Sequence, residues 1–113
     1  GCTGVIVSNH GGRQLDGSVS PFDQLAKIVD AVGDKIDVIC EGGIQRGTHI
    51  LKALSIGAKA CAGGRLYLYA LASAGEKGVE RALSLLKEEI IRDMKLMGCT
   101  SIDQLNTSNL HYS

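Results

Sequence analysis

Residues 36–47 read IDVICEGGIQRG and join a short apolar run to a glycine-rich polar loop. The run Ile36–Cys40 has the length and the β-branched content of a strand. After the loop Glu41–Gly47, apolar residues recur at helical spacing within 50–54, until Gly57 ends the helix. This order predicts a strand–loop–helix unit.

The same unit occurs earlier in the chain. Val5-Ile6-Val7 is apolar throughout, which predicts a strand buried on both faces in a parallel sheet. The polar loop Ser8–Arg13 follows, and Ser20 with Pro21 predicts the start of a helix that Gly33 ends.

A third, weaker unit comes next. The pattern predicts a strand over Ala58–Ala62, a Gly63-Gly64-Arg65 turn and a helix over Leu66–Ala74. Beyond Gly75, apolar residues recur every three or four positions up to Met97, which predicts a long amphipathic helix that Gly98 ends. In the polar tail, Leu105 and Leu110 are the predicted anchors.

Strands that alternate with helices at this spacing predict an α/β fold with a parallel sheet. Three buried strands make a poor sheet by themselves, so the chain is interpreted as the last part of a longer protein. We favour the C-terminal portion of a (β/α)₈ TIM barrel, because loops after the last barrel strands commonly bind phosphate. A doubly wound sheet is the alternative. No boundary divides residues 1–113.

Composition narrows the class of protein. Twelve basic and twelve acidic residues give zero net charge, which argues against nucleic-acid binding. The hydrophobic content of 44% predicts a folded core, and no run approaches the roughly 20 apolar residues of a membrane span. No signal peptide is recognised, and four separated cysteines without a CxxC pair predict a reducing compartment and no zinc site.

The first loop carries a histidine and an arginine three residues apart. His10 follows a strand end, where its ordinary pKa of about 6.5 suits proton abstraction. Arg13 offers the planar fork that fits a carboxylate. The alternative is structural, with His10 capping the loop and Arg13 pairing with Asp16.

The second and third loops each combine glycines, an arginine and the start of a helix. Exposed N–H groups, a helix dipole and a cation are the parts of an anion site. Neither loop is specific alone, since such turns are common. No GxGxxG follows a strand and no GxxxxGK[ST] occurs, so a Rossmann or P-loop site is not supported.

The string Ser8-Asn9-His10-Gly11-Gly12-Arg13-Gln14 resembles the active-site signature of the FMN-dependent α-hydroxy acid dehydrogenases and oxidases. The likeness continues through nearly the whole chain, including Gly42-Gly43, Arg46-Gly47, Lys52-Ala53-Leu54, Gly64-Arg65 and Gly98-Cys99. It implies that the chain is the last three βα units and the terminal helix of the barrel.

The resemblance also implies roles for residues. His10 matches the family's catalytic base, and Arg13 matches the arginine that holds the substrate carboxylate. The implied FMN-binding residues are Glu41, Gly42, Gly43, Gln45, Arg46, Gly64 and Arg65. Two of them depart from the family pattern, since Glu41 replaces the usual aspartate beside the ribityl chain and Gln45 replaces a phosphate-binding arginine.

The implied reaction is oxidation of a lactate-like L-2-hydroxy acid to the 2-oxo acid. Electrons would pass from FMN to a quinone or cytochrome-type acceptor, with an O₂-using oxidase as the alternative. The family's other active-site residues lie outside this sequence, so the isolated chain is expected to be inactive. The full-length protein is expected to be a homo-oligomer, cytoplasmic or held peripherally at the inner membrane.

Two further alternatives stay open at the level of sequence. One is a non-redox barrel, such as a flavin isomerase, that binds a phosphorylated ligand while His10 is structural. The other is a non-functional fragment. A pure phosphate binder does not need a histidine and an arginine at a neighbouring strand end, which favours the hydroxy acid enzyme.

Overall fold

A computed structural model describes residues 1–112 and contains the three predicted strand–loop–helix units. The three parallel strands are neighbours in the order β1-β2-β3. In chain order the elements are β1 (Gly4–Val7), α1 (Pro21–Val32), β2 (Asp37–Glu41), α2 (Gly47–Ile56), β3 (Ala60–Ala62) and α3 (Gly64–Met97). An α/β fold with a parallel sheet is therefore confirmed, and the arrangement is consistent with part of a barrel.

The strand register brings the three loops to one edge of the sheet. Val7 at the end of β1 lies beside Cys40, and Glu41 at the end of β2 lies beside Ala62. Because the carboxyl ends of parallel strands share an edge, the loops that follow them become neighbours. Residues far apart in sequence thus meet above the sheet.

The predicted helix ends agree with the structure. Ser20 caps α1 by accepting a hydrogen bond from the Asp23 amide at 3.2 Å. Gly57 and Gly98 end α2 and α3 in the left-handed conformation that glycine adopts without a Cβ clash. The predicted break at Gly75 is also confirmed, since φ is 58° there and α3 is interrupted.

Two strand predictions need correction at their ends. β2 continues to Glu41, which was predicted to be the first loop residue. β3 begins at Ala60 and not at Ala58, because the Ala58 amide donates back to the Ala53 carbonyl at the end of α2 and is not available to the sheet.

The core lies on the face of the sheet that the helices cover. Leu25, Val38, Cys40 and Ala53 are at most 2% exposed there. The two predicted tail anchors, Leu105 and Leu110, are both half-buried, and Leu110 packs against this core.

The prediction that β1 is buried on both faces is wrong for this chain. The opposite face of the sheet is open, and Ile6 is 58% exposed. Exposure of a β-branched run leaves apolar surface that no element of residues 1–112 covers. Among these residues, no helix is long and apolar enough to cross a membrane.

Candidate active site

A cavity of about 240 Å³ opens at the carboxyl edge of the sheet, where the three loops meet. Eight of the nine residues that the sequence assigned to catalysis, substrate or cofactor line it: His10, Arg13, Glu41, Gly42, Gly43, Gln45, Gly64 and Arg65. The ninth, Arg46, is not in the lining. The structure thus brings the three sequence motifs into one site.

His10 stands in a tight turn directly above β1. Its φ of 55° is the only positive value of a non-glycine residue among residues 1–112, and Gly11 and Gly12 follow at 69° and 72°. The left-handed region is costly for a side chain with a Cβ, and such outliers cluster at functional sites. The His10 amide donates to Ser8 Oγ at 3.0 Å, and the Gly12 amide donates to the Asn9 carbonyl at 3.0 Å.

Glu41 connects the second loop to this turn. The Ser8 hydroxyl donates to Glu41 Oε2. The other carboxylate oxygen faces the third loop, since a Cβ built on Gly64 would lie 3.9 Å from Glu41 Oε1. The carboxylate of Glu41 therefore stands between the first and third loops.

Arg65 makes a second connection to the turn. Its guanidinium donates to the Gly11 carbonyl at 2.9 Å. A Cβ on Gly11 would lie 2.7 Å from the same guanidinium nitrogen, so this approach needs a glycine. No ion pair of Arg13 with Asp16 is among the salt bridges of residues 1–112, so the predicted alternative for Arg13 is not seen there.

The start of α2 is occupied by a carboxylate of the protein itself. Glu89, on α3, accepts from the Gly47 amide at 2.7 Å and from Arg46 Nε at 2.9 Å, and Arg46 makes a further contact of 2.8 Å. The Arg46 guanidinium and the Gly47 amide hold the pKa of Glu89 below its ordinary value. Arg46 is thereby held outside the cavity.

Sequence reasoning missed Glu89, because its partners are more than 40 residues away and no local pattern marks them. It also missed His49, whose Nδ1 lies 3.2 Å from the Gln45 amide and 3.1 Å from the Gly43 carbonyl. One ring nitrogen serves only one of these partners at a time, according to the tautomer.

The start of α3 differs from that of α2. Its N-cap residue, Gly63, provides no side-chain cap. Gly64 and Arg65, the first two residues of α3, line the cavity. A helix start beside a guanidinium is the composition of an anion site.

The cysteines beneath the cavity are free thiols. Burial raises the pKa of Cys40, and it raises the pKa of Cys61 to about 11. Both therefore stay protonated at neutral pH, which is unsuitable for a nucleophile or a metal ligand.

Comparison with known proteins decides the family. The model of the FMN-dependent dehydrogenase family matches residues 1–112. The chain belongs to this family. The chain is 49% identical to an L-lactate oxidase of Nostoc sp. The aligned region covers 98% of this chain and 30% of the oxidase. It is 46% identical to an L-lactate dehydrogenase (cytochrome) of Wickerhamomyces anomalus over 93% of this chain and 19% of that one.

Solved structures agree with the family assignment. A soluble variant of the membrane-associated (S)-mandelate dehydrogenase from Pseudomonas putida superposes with a TM-score of 0.95 at 45% identity, covering 100% of this chain and 32% of that one. A flavocytochrome b2 variant gives a TM-score of 0.92 at 46% identity, over 98% and 30%. The chain thus spans less than a third of the length of these relatives.

The three loops around the cavity fit the FMN on which this family depends. Gly43 has a φ of 73° and open space on its Cβ side, so its backbone is accessible from the cavity. With the uncapped start of α3 and Arg65, the donors at this end are backbone amides and one guanidinium. That set suits a phosphate monoester.

Proposed function

We propose that the full-length protein carrying this chain oxidises a lactate-like L-2-hydroxy acid to the 2-oxo acid with FMN as cofactor. One observation carries the proposal. The 240 Å³ cavity holds His10 and Arg13 together with Glu41, Gly43, Gly64 and Arg65. The residues that we propose as the base, the substrate carboxylate's partner and the phosphate-binding end thus line one space.

The chain's own residues divide the work. Arg13 binds the substrate carboxylate through its planar guanidinium and so orients the hydroxyl-bearing carbon. His10 takes a proton from the bound substrate as general base. Because His10 lies directly above β1 and Arg13 follows three residues later, both act from the same loop.

FMN, when bound, supplies the acceptor for the two electrons that leave the substrate. We assign its phosphate to the amides of Gly43 and Gly64 and to Arg65, with Gly42 and Gln45 lining the same end. Glu41 is assigned to the ribityl hydroxyls. Arg46, bonded to Glu89, is assigned to the shape of the second loop and not to the phosphate.

The remaining parts of the proposal concern the whole protein. We propose that residues 1–113 are the last three βα units and terminal helix of a (β/α)₈ barrel, within one domain. The open face at Ile6 and the TM-score of 0.95 over 32% of the mandelate dehydrogenase chain support this. We propose that a quinone or cytochrome takes the electrons from the flavin. O₂ is the alternative electron acceptor, which the L-lactate oxidase relative suggests.

The experiment compares the full-length protein with His10→Gln in anaerobic stopped-flow mixing with L-lactate, glycolate and L-mandelate. At least one acid should bleach the flavin absorbance of the parent. Loss of the base should slow this step by about 10²- to 10⁴-fold while flavin stays bound. A parent that no hydroxy acid bleaches, or a variant that bleaches at the parent rate, contradicts the proposal.

A further inference from the structure

The turn that carries His10 is held by a serine to which no catalytic or binding role has been assigned. The Ser8 hydroxyl accepts from the His10 amide at 3.0 Å and donates its own proton to Glu41 Oε2. One hydroxyl thus accepts from the proposed base's backbone and donates to a residue of the proposed cofactor end.

We propose that Ser8 is a positioning residue, which fixes the conformation of the His10 turn and ties it to the Glu41 carboxylate. The inference rests on the proposed function, since it assigns Ser8 a part in the reaction through His10. Ser8 acts on the backbone of His10 and is not among the residues that line the 240 Å³ cavity.

The backbone conformation makes such support necessary. His10, Gly11 and Gly12 have consecutive positive φ values, and His10 pays the steric cost of a Cβ in that region. A strained turn persists only when its surroundings over-determine it. The loop is solvent-exposed at Ser8 and His10, so burial supplies little of this constraint and hydrogen bonds must supply it.

The bonds reach the turn from two other elements. Glu41, at the end of β2, holds the N-terminal side of the turn through Ser8. Arg65, at the start of α3, holds its C-terminal side through the Gly11 carbonyl. The hydroxyl of Ser8 thus joins the turn to the end of β2 through the Glu41 side chain.

The same residues therefore link the two ends of the cavity. Glu41 and Arg65 line the proposed FMN end, and each is also bonded to the loop of His10. Displacement of the turn by about 1 Å is enough to cost about 10²-fold in rate. Ser8 is thus expected to affect the chemical step more than ligand binding.

The test uses the full-length protein with Ser8→Ala, which removes both bonds, and Ser8→Thr, which keeps the hydroxyl. Ser18→Ala is the matched control, since Ser18 lies between the His10 turn and α1 and does not line the 240 Å³ cavity. Four quantities are measured: hydrogen–deuterium exchange of the peptide over 8–12 in the FMN-free protein, FMN affinity, the substrate dissociation constant, and the rate of flavin reduction at saturating substrate.

Ser8→Ala should speed exchange in 8–12 and slow flavin reduction by about 10- to 10²-fold. FMN affinity and the substrate dissociation constant should change by less than about threefold, and Ser8→Thr should recover most of the rate. Ser18→Ala should match the parent. Fast reduction and unchanged exchange in Ser8→Ala overturn the inference, as does a loss of rate that tracks loss of FMN. A parent that no hydroxy acid reduces refutes the proposed function instead, and faster exchange in Ser8→Ala would still support the hold on the turn.

Discussion

The starts of α2 and α3 have the same local signature and different surroundings. Each comes after a parallel strand, and each has a glycine pair and an arginine close to its first residue. At α2, Glu89 bonds both the Gly47 amide and the Arg46 side chain. At α3, the N-cap residue Gly63 makes no side-chain cap, no side chain of residues 1–112 takes the place that Glu89 has at α2, and Arg65 lines the cavity.

The contrast between the two helix starts indicates that an anion-binding motif binds whichever anion lies beside it in the fold. The protein provides the carboxylate for α2, since the Glu89 side chain is only 19% exposed and points at the helix start. We propose that the cofactor phosphate takes the equivalent place at α3. Helix starts attract anions of either origin.

Exchange of the glycine at each helix start for alanine should separate the two sites most strongly. A Cβ on Gly47 would lie 2.7 Å from Glu89 Cβ and 2.8 Å from the Ile90 amide nitrogen, so α2 and α3 must move apart. Gly47→Ala should lower the free energy of unfolding by about 1–3 kcal/mol. Gly64→Ala is the matched control, with Glu41 Oε1 at 3.9 Å as its nearest neighbour, and should stay within about 0.5 kcal/mol. Equal losses in denaturant titration would mean that the two starts are packed alike.

Gln45→Arg tests whether the second loop contributes to the proposed phosphate end of the cavity. Gln45 lines the cavity on the second loop, where a guanidinium would add a cation to the proposed phosphate end. A charged donor contributes roughly twice as much as a neutral one, so FMN affinity should rise by about 3- to 10-fold. The control is Gln24→Arg on α1, outside the lining of the cavity, which adds the same charge elsewhere. If both variants bind FMN like the parent, Gln45 does not face the phosphate.

The weakest of these effects should be the pH dependence of stability at the start of α2, where Glu89 clamps Arg46 and Gly47. Hydrogen bonds from Arg46 and Gly47 lower the pKa of Glu89, so its contribution to stability is complete above the ordinary glutamate pKa of about 4.3 and is lost as the pH falls through the lowered value. The stability difference between the parent and Glu89→Gln should therefore be present at pH 7 and should close below about pH 4. A difference that is constant down to pH 2 would show that charge has no part in the clamp.

Much of the framework could be predicted from sequence because it depends on local patterns. Apolar runs located the three strands, and Ser20, Gly57 and Gly98 marked helix ends by their backbone preferences. The parallel sheet then follows from element order, and with it the meeting of three loops at one edge. His10 and Arg65, more than 50 residues apart in sequence, therefore line one cavity, although their joint assignment to a flavin site came from the family resemblance.

The rest depends on partners that no local pattern reveals. Arg46 reads like a second phosphate ligand until Glu89, 43 residues away, is seen to hold it. Non-glycine residues rarely adopt the left-handed conformation that His10 has. We attribute it to the hydrogen bonds that Ser8 and Arg65 make with the turn. The exposure of Ile6 likewise depends on which elements cover the sheet, and no element of residues 1–112 covers this face.

We propose that the phosphate of FMN binds at the start of α3 and not at that of α2. Paired titrations test this proposal directly. FMN and riboflavin, which lacks the phosphate, are titrated into the apo forms of the full-length parent, Arg65→Ala and Arg46→Ala. Loss of a charged hydrogen bond of about 1.5–3 kcal/mol predicts that Arg65→Ala weakens FMN binding by about 10- to 150-fold and riboflavin binding much less. Arg46→Ala should leave the ratio of the two affinities unchanged, because its guanidinium is bound to Glu89. The reverse order, or an equal effect of Arg65→Ala on both ligands, would contradict the account.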